Sequence, residues 1–186
     1  ISIMSELRTN RIVPRDGLPS GSAGGIIQVK STTKTDTFTT NSTSFTDITG
    51  LSVTITPTRS DSKILVMMHV NLGHTIYVSG YVRLVRDSTP ISVGDGAGSR
   101  IACTVAMSDD PNDDEINCYS ATFLDSPSTT LATTYKVQLA TEASGNTGNV
   151  FVNRSGEDTD NNQHSRVTSS ITVMEVSGWH FENPNI

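Results

Sequence analysis

Five acidic side chains fall close together at Asp109, Asp110, Asp113, Asp114 and Glu115. They form the densest group of oxygen ligands in the chain, within the run SDDPNDDE at residues 108–115. Calcium prefers such oxygens, so this run is the candidate calcium site. Its order departs from an EF-hand loop, because the central glycine and the spaced final glutamate are missing. An exposed acidic turn, spread open by mutual repulsion, is the simpler reading. Glu157, Asp158 and Asp160 make a second, smaller acidic group.

Other chemistry-bearing residues are scattered. His69, His74, His164 and His180 are the four histidines, and their spacing pairs none with a cysteine or with another histidine. His69 lies in the most apolar stretch and reads as an inward or interface histidine. Cys103 and Cys118 flank the acidic run. They read as buried free thiols, with a bridge across a hairpin as the alternative; two cysteines do not make a disulfide scaffold. Gly94, Gly96 and Gly98 lack the Lys-Ser/Thr ending of a phosphate loop and suit a tight strand connection. Asn41-Ser42-Thr43 and Asn153-Arg154-Ser155 match the short glycosylation pattern, a match that recurs by chance. No nucleophile elbow is present, and no serine, histidine and aspartate stand out as a triad. No catalytic residue and no organic cofactor is therefore assigned. Tyr77, Tyr119 and Trp179 are the aromatic side chains that a sugar-binding platform would draw on, and each also suits a core or an interface.

The elements that position these residues are strands. Hydrophobic residues make up 34% of the 186-residue chain and charged residues 17%. Ser, Thr, Asn and Gly make up the balance, a composition poor in surface-helix formers. That length suffices for one well-buried domain. Thirteen basic against nineteen acidic side chains give a formal net charge of −6. A nucleic-acid partner, whose binding rests on phosphate neutralisation, is not expected. No apolar run is long enough for a membrane span and the start lacks a signal-peptide core, so neither a membrane partner nor export by that route is expected.

The stretch at residues 50–72 organises the rest. Leu51, Val53 and Ile55 alternate with Ser52, Thr54 and Thr56, which predicts a half-buried strand. A turn follows at residues 57–61, opened by Pro57, which can donate no ladder bond. Residues 64–70 are almost continuously apolar, the pattern of a strand covered on both sides. Further strands are expected at residues 26–30, 76–85, 91–93, 101–107, 116–124, 135–139, 150–153 and 167–176, with a turn at 46–50. No segment carries a helical stripe. The expected fold is all-β: an antiparallel β-sandwich of nine or ten strands, with a jelly roll as one way to connect them. Its core should hold Ile64, Val66, Tyr81, Val82, Phe123, Val137 and Ile171, and Trp179 and Phe181 should cap one end. Residues 1–25 read as an N-terminal arm, broken up by proline and glycine, whose Leu7, Ile12, Val13 and Leu18 can dock on a neighbouring subunit or stay mobile. Residues 26–182 form the sandwich domain and 183–186 a C-terminal tail.

Several phrases carry a resemblance. GGIIQVK at residues 24–30, SFTDITGLSVTITP at 44–57, SKILV at 62–66, FLDSP and TTYKVQ between 123 and 138, and SSITVMEV at 169–176 are together similar to small virion structural and tail-fibre-like proteins of tailed bacteriophages. Those relatives come from aquatic phages, cyanophages among them. NRIVPRDGLPSG at residues 10–21 resembles the lead-in that attaches such modules to a particle or a fibre.

The resemblance implies a β-sandwich on the exterior of the virion, without catalytic residues. The expected state is a homotrimer, a fibre or tail-appendage knob contacting other virion proteins, with distal loops meeting a host-surface glycan or protein receptor. Weakly binding loops gain by avidity on such a body. The alternative is a capsid decoration, or cement, protein held to the head by its arm. A polysaccharide-acting enzyme is the remaining reading, and it would need a paired-carboxylate geometry that the sequence does not display.

Overall fold

The computed structural model describes residues 25–142 and 148–177. The arm residues Leu7, Ile12, Val13 and Leu18, the segment 143–147, His180, the aromatic residues Trp179 and Phe181, and the tail 183–186 lie outside the described residues.

Eleven strands appear in the order β1 (Ile26–Lys34), β2 (Phe38–Thr40), β3 (Thr46–Ile55), β4 (Lys63–His74), β5 (Gly80–Arg86), β6 (Thr89–Ile91), β7 (Val105–Met107), β8 (Asn117–Asp125), β9 (Thr133–Thr141), β10 (Val150–Val152) and β11 (Ser169–Val176). All pair antiparallel. One sheet runs β1–β11–β4, with β8 on the far side of β4 and with β10 and β2 continuing the array beside the end of β4. The other runs β3–β9–β5, with β6 and β7 along the free side of β5. Taken in chain order, β1, β3, β4, β5, β7, β8, β9 and β11 alternate between the sheets except that β5 and β7 share one, giving the four-stranded orders β1–β11–β4–β8 and β3–β9–β5–β7 of a jelly roll. The fold is an all-β sandwich, as the alternating segments predict.

The core lies between the sheets. Leu51, Val53 and Ile55 of β3 face Ile64, Val66, Met68, Val70 and Leu72 of β4, and Val82, Leu84, Tyr135, Val137, Leu139, Ile171 and Val173 fill the same layer. Five of the seven predicted core residues are buried there. Tyr81 and Phe123 are only half-buried. Tyr81 points out from β5, one step out of phase with Val82, and Phe123 sits on strand β8, where one flank has no neighbouring strand among the described residues.

Other boundaries move for identifiable reasons. The expected turn at 46–50 is strand: β3 runs through it, and Gly50 adopts a φ of +81° where the pairing with β9 shifts register. The strand expected from residue 76 starts at Gly80, because Tyr77 takes a left-handed φ of 58° and turns the chain. The strand expected at 101–107 is paired only from Val105.

At the Ile64 end of β4 two carboxylates are tucked between the sheets. Asp125 and Glu175 are the cross-strand neighbours of Ile64 on its two sides. Asp125 accepts from Arg86 at 2.8 and 2.9 Å and from the Tyr135 hydroxyl at 2.7 Å, tying β8 to the opposite sheet. Glu175 is fully buried, yet accepts from Gln28 Nε2, the Thr58 amide and hydroxyl and the Ser62 hydroxyl at 2.6–2.7 Å. Burial alone would raise its pKa; the hydrogen bonds outweigh burial and hold it below the usual carboxylate value. These bonds fasten the turn between β3 and β4 to β1 and β11.

Candidate functional site

The opposite end of β4 carries the two acidic loops. Ten residues of strand separate Ile64 from His74, about 33 Å. Beyond His74 the β7–β8 loop (residues 108–116) and the β10–β11 loop (residues 153–168) lie against each other. The amides of Gly156 and Glu157 both donate to the Asp113 carbonyl, at 2.7 and 3.2 Å. Two glycines permit this approach. A Cβ on Gly156 would stand 2.1 Å from the His74 carbonyl oxygen, and one on Gly73 would stand 2.4 Å from that of Arg154. Any side chain at either place would push the loop off the strand.

Within the second loop, Arg154 lies 3.7 Å from the centre of the Phe151 ring and donates to the carbonyls of Ser155 and Gly156. Arg154 and Arg166 both pair with Asp158; the hydrogen bond from Arg166 lowers the Asp158 pKa. A cleft of about 320 Å³ opens between Asp158, Thr159, Asp160, Asn161, His164 and Arg166.

His164 joins the loops. Its side chain is only 4% exposed, and its Nε2 stands 3.2 Å from Asp114 Oδ1. Nδ1 faces the Thr159 hydroxyl at 2.8 Å and the Thr159 carbonyl at 3.1 Å. A carbonyl and a carboxylate can only accept, so the two contacts are made together by the protonated ring. That bond to Thr159 raises the ring's pKa against partial desolvation, with Asp114 and Glu157 adding to the rise. One ligand atom each from Asp114, Glu157 and His164 lie within 4.8 Å of one another.

The sequence candidates are thus divided. Asp114 joins the cluster, and Glu157 of the second acidic group comes to meet it. Asp110 accepts from the Asn112 amide, while Glu115 accepts from Asn112 and Asn117 side chains. Asp109, Asp110, Asp113 and Glu115 contribute no side chain to the three-residue group. The sequence names His164 among four scattered histidines and links it to neither acidic group. Its signal was its place in the same polar loop, seven residues beyond Glu157.

Two further readings are corrected. The sequence paired no histidine with a cysteine, yet His69 Nε2 lies 3.4 Å from Cys118 Sγ, because the two face outward from neighbouring strands β4 and β8. Both cysteines are free, but neither is buried: Cys118 is exposed on strand β8 and Cys103 is half-buried. Desolvation raises the Cys103 thiol pKa.

A second surface lies on the outer face of the β4 sheet. Val29, Met174, Leu65 and Leu124 are direct cross-strand partners across β1, β11, β4 and β8, forming one apolar row. Val29 is 50% and Leu124 52% exposed, while Leu65 and Met174 are half-buried by each other's company. Ile26, 59% exposed, Val176 and Met67 extend the patch.

Comparison with known proteins adds little to this geometry. No protein-family model matches the chain, and no curated protein sequence matches it. Among solved structures, the infectious bursal disease virus VP2 subviral particle is similar at 12% identity with a TM-score of 0.44, over 97% of this chain and 48% of that one. The infectious bursal disease virus Gx strain structure follows at 13% identity and 0.37, over 92% and 43%. The chain therefore spans about half the length of the structures it matches. At that distance neither defines a role for it.

Proposed function

We propose that the chain is a structural subunit of the virion exterior, a homotrimeric knob within a fibre or tail appendage that meets the host surface. The observation that carries this reading is the outer apolar row. At its Ile64 end strand β4 is apolar on both faces, and the described residues cover one. A soluble body that leaves Val29, Leu65, Met174 and Leu124 in line has a surface shaped for further protein. The sequence phrases resembling phage virion proteins supply the setting. In this reading the copies of the chain meet through the row, and the loops at the His74 end of β4 face outward.

Cement protein is the second reading, favoured by one feature. Residues 1–24 precede β1, which is an edge strand among the described residues and whose Ile26, Ile27 and Val29 are 59%, 43% and 50% exposed. An edge of that kind offers unpaired backbone groups to a neighbouring subunit.

Antibody labelling of intact particles under the electron microscope separates the readings. Label confined to tails or vertices supports the knob; a lattice over the head supports cement; particles without label defeat both. Host adsorption by the isolated chain, abolished when loops 108–116 and 154–168 are replaced, supports recognition by those loops. Adsorption that survives the replacement removes them from that role.

A further inference from the structure

We infer that Asp114, Glu157 and His164 form a binding site for one borderline divalent cation of the zinc class, which clasps the β7–β8 loop to the β10–β11 loop. The inference is independent of any role in a virion.

His164 is the residue that joins the two loops. Its side chain is almost wholly buried, and the Thr159 carbonyl engages Nδ1. Nε2 is thereby turned toward the Asp114 carboxylate, 3.2 Å away. A divalent ion can take the place of the proton that joins the two. A histidine whose other nitrogen is held by a backbone carbonyl is also oriented as metal-ligating histidines are.

Charge and distance agree. Asp158, the neighbouring carboxylate, is neutralised by Arg154 and Arg166. Asp114 and Glu157 then bring two carboxylates to the imidazole, which gives up its Nε2 proton to an ion that binds there. Four-coordinate zinc, with bonds near 2.0–2.1 Å, holds its ligand atoms about 3.3 Å apart. The Asp114–His164 separation of 3.2 Å already matches, and the three atoms within 4.8 Å need only small side-chain movements to close on an ion. The imidazole selects against calcium, which takes oxygen ligands, and favours zinc, cobalt or nickel. Three protein ligands leave a fourth position open to the solvent, because Asp114 is 55% exposed. This set replaces the calcium ligands expected within residues 109–115: one carboxylate comes from that run, and the other two ligands come from a loop more than forty residues on.

The test uses the full chain, stripped with chelator and titrated with Zn2+, Co2+ or Ca2+ alone. Zn2+ should bind with 1:1 stoichiometry and raise the melting temperature, while Ca2+ at the same concentration should do neither. His164→Ala should weaken Zn2+ binding at least tenfold. Since that change can also loosen the loop, Glu157→Gln, at an exposed position, should weaken it as well while leaving the metal-free melting temperature unchanged. Bound Co2+ should show visible ligand-field bands without a thiolate charge-transfer band. A thiolate band would place the ion at Cys118 and His69 and overturn the assignment. So would Zn2+ affinity unchanged in both variants, or no 1:1 binding at all.

Discussion

Strand β4 has an inner face that is apolar from Ile64 to Leu72 and an outer face that is apolar only at Leu65 and Met67, and the two have unequal fates. Ile64, Val66, Val70 and Leu72 point inward and are 0% exposed. Leu65 and Met67 point outward and are left half-buried, in company with Met174, Val29 and Leu124. The inner face is closed by the second sheet of the same chain. The outer face has nothing from the described residues over it. The difference teaches that the apolar run at residues 64–68 encodes two separate burials, one completed within the described residues and one that the proposed reading assigns to association.

Breaking the inner face should have the largest effect. Ile64→Ala or Leu72→Ala deletes fully buried atoms and should cost about 2–5 kcal/mol, read as a lower denaturant midpoint. An equal cost for Leu65→Ala would show that the two faces are not distinct.

Glu175 sharpens the contrast, since it shows how this fold handles a charge on the inner face. Glu175→Gln replaces an acceptor of four hydrogen bonds by an amide that brings its own donors against theirs, and should cost about 1–3 kcal/mol at neutral pH. The sign of the pH dependence follows from the lowered pKa. Above the unfolded value of 4.5 the carboxylate contributes its full stability, which is lost as pH falls through the lower folded value. Denaturant midpoints measured from pH 7 down to pH 2 should therefore fall less in the variant than in the parent protein. Parallel profiles would remove Glu175 from the acid sensitivity.

Smaller effects belong to the outer face. Leu65→Ser should cost no more than about 1–2 kcal/mol in folding, since only a half-buried side chain is removed, yet it should dissociate the oligomer. Leu131→Asp is the smallest change. Leu131 is 73% exposed in the turn before β9 and is not a strand partner of the row, so stability should stay within about 0.5 kcal/mol and assembly should be untouched.

Much of this was legible in the chain. The alternation of Leu51, Val53 and Ile55, the turn opened by Pro57, and the split of Ile171 and Val173 from Met174 and Val176 fixed the strands and their faces. The same period places Glu175 with Ile171 and Val173, so its inward position was readable, although its partners Gln28, Thr58 and Ser62 were not. Residues 64–70 announced a strand covered on both sides; the sequence pattern cannot say whether the same chain supplies both covers. The Asp114–Glu157–His164 cluster was illegible for a different reason. Asp114 and His164 are fifty residues apart, and only the crossing of the jelly roll at Gly73 and Gly156 brings their loops together. Local pattern carries strands and faces; contacts between loops come from topology.

The central claim is that the outer row is an interface between copies. Sedimentation equilibrium of the full chain at micromolar concentration, beside a Leu65→Lys, Leu124→Lys double variant, tests it most directly. The account predicts three times the chain mass for the parent protein and the single-chain mass for the variant, with both equally folded by circular dichroism. A parent protein that sediments as a monodisperse monomer would contradict it.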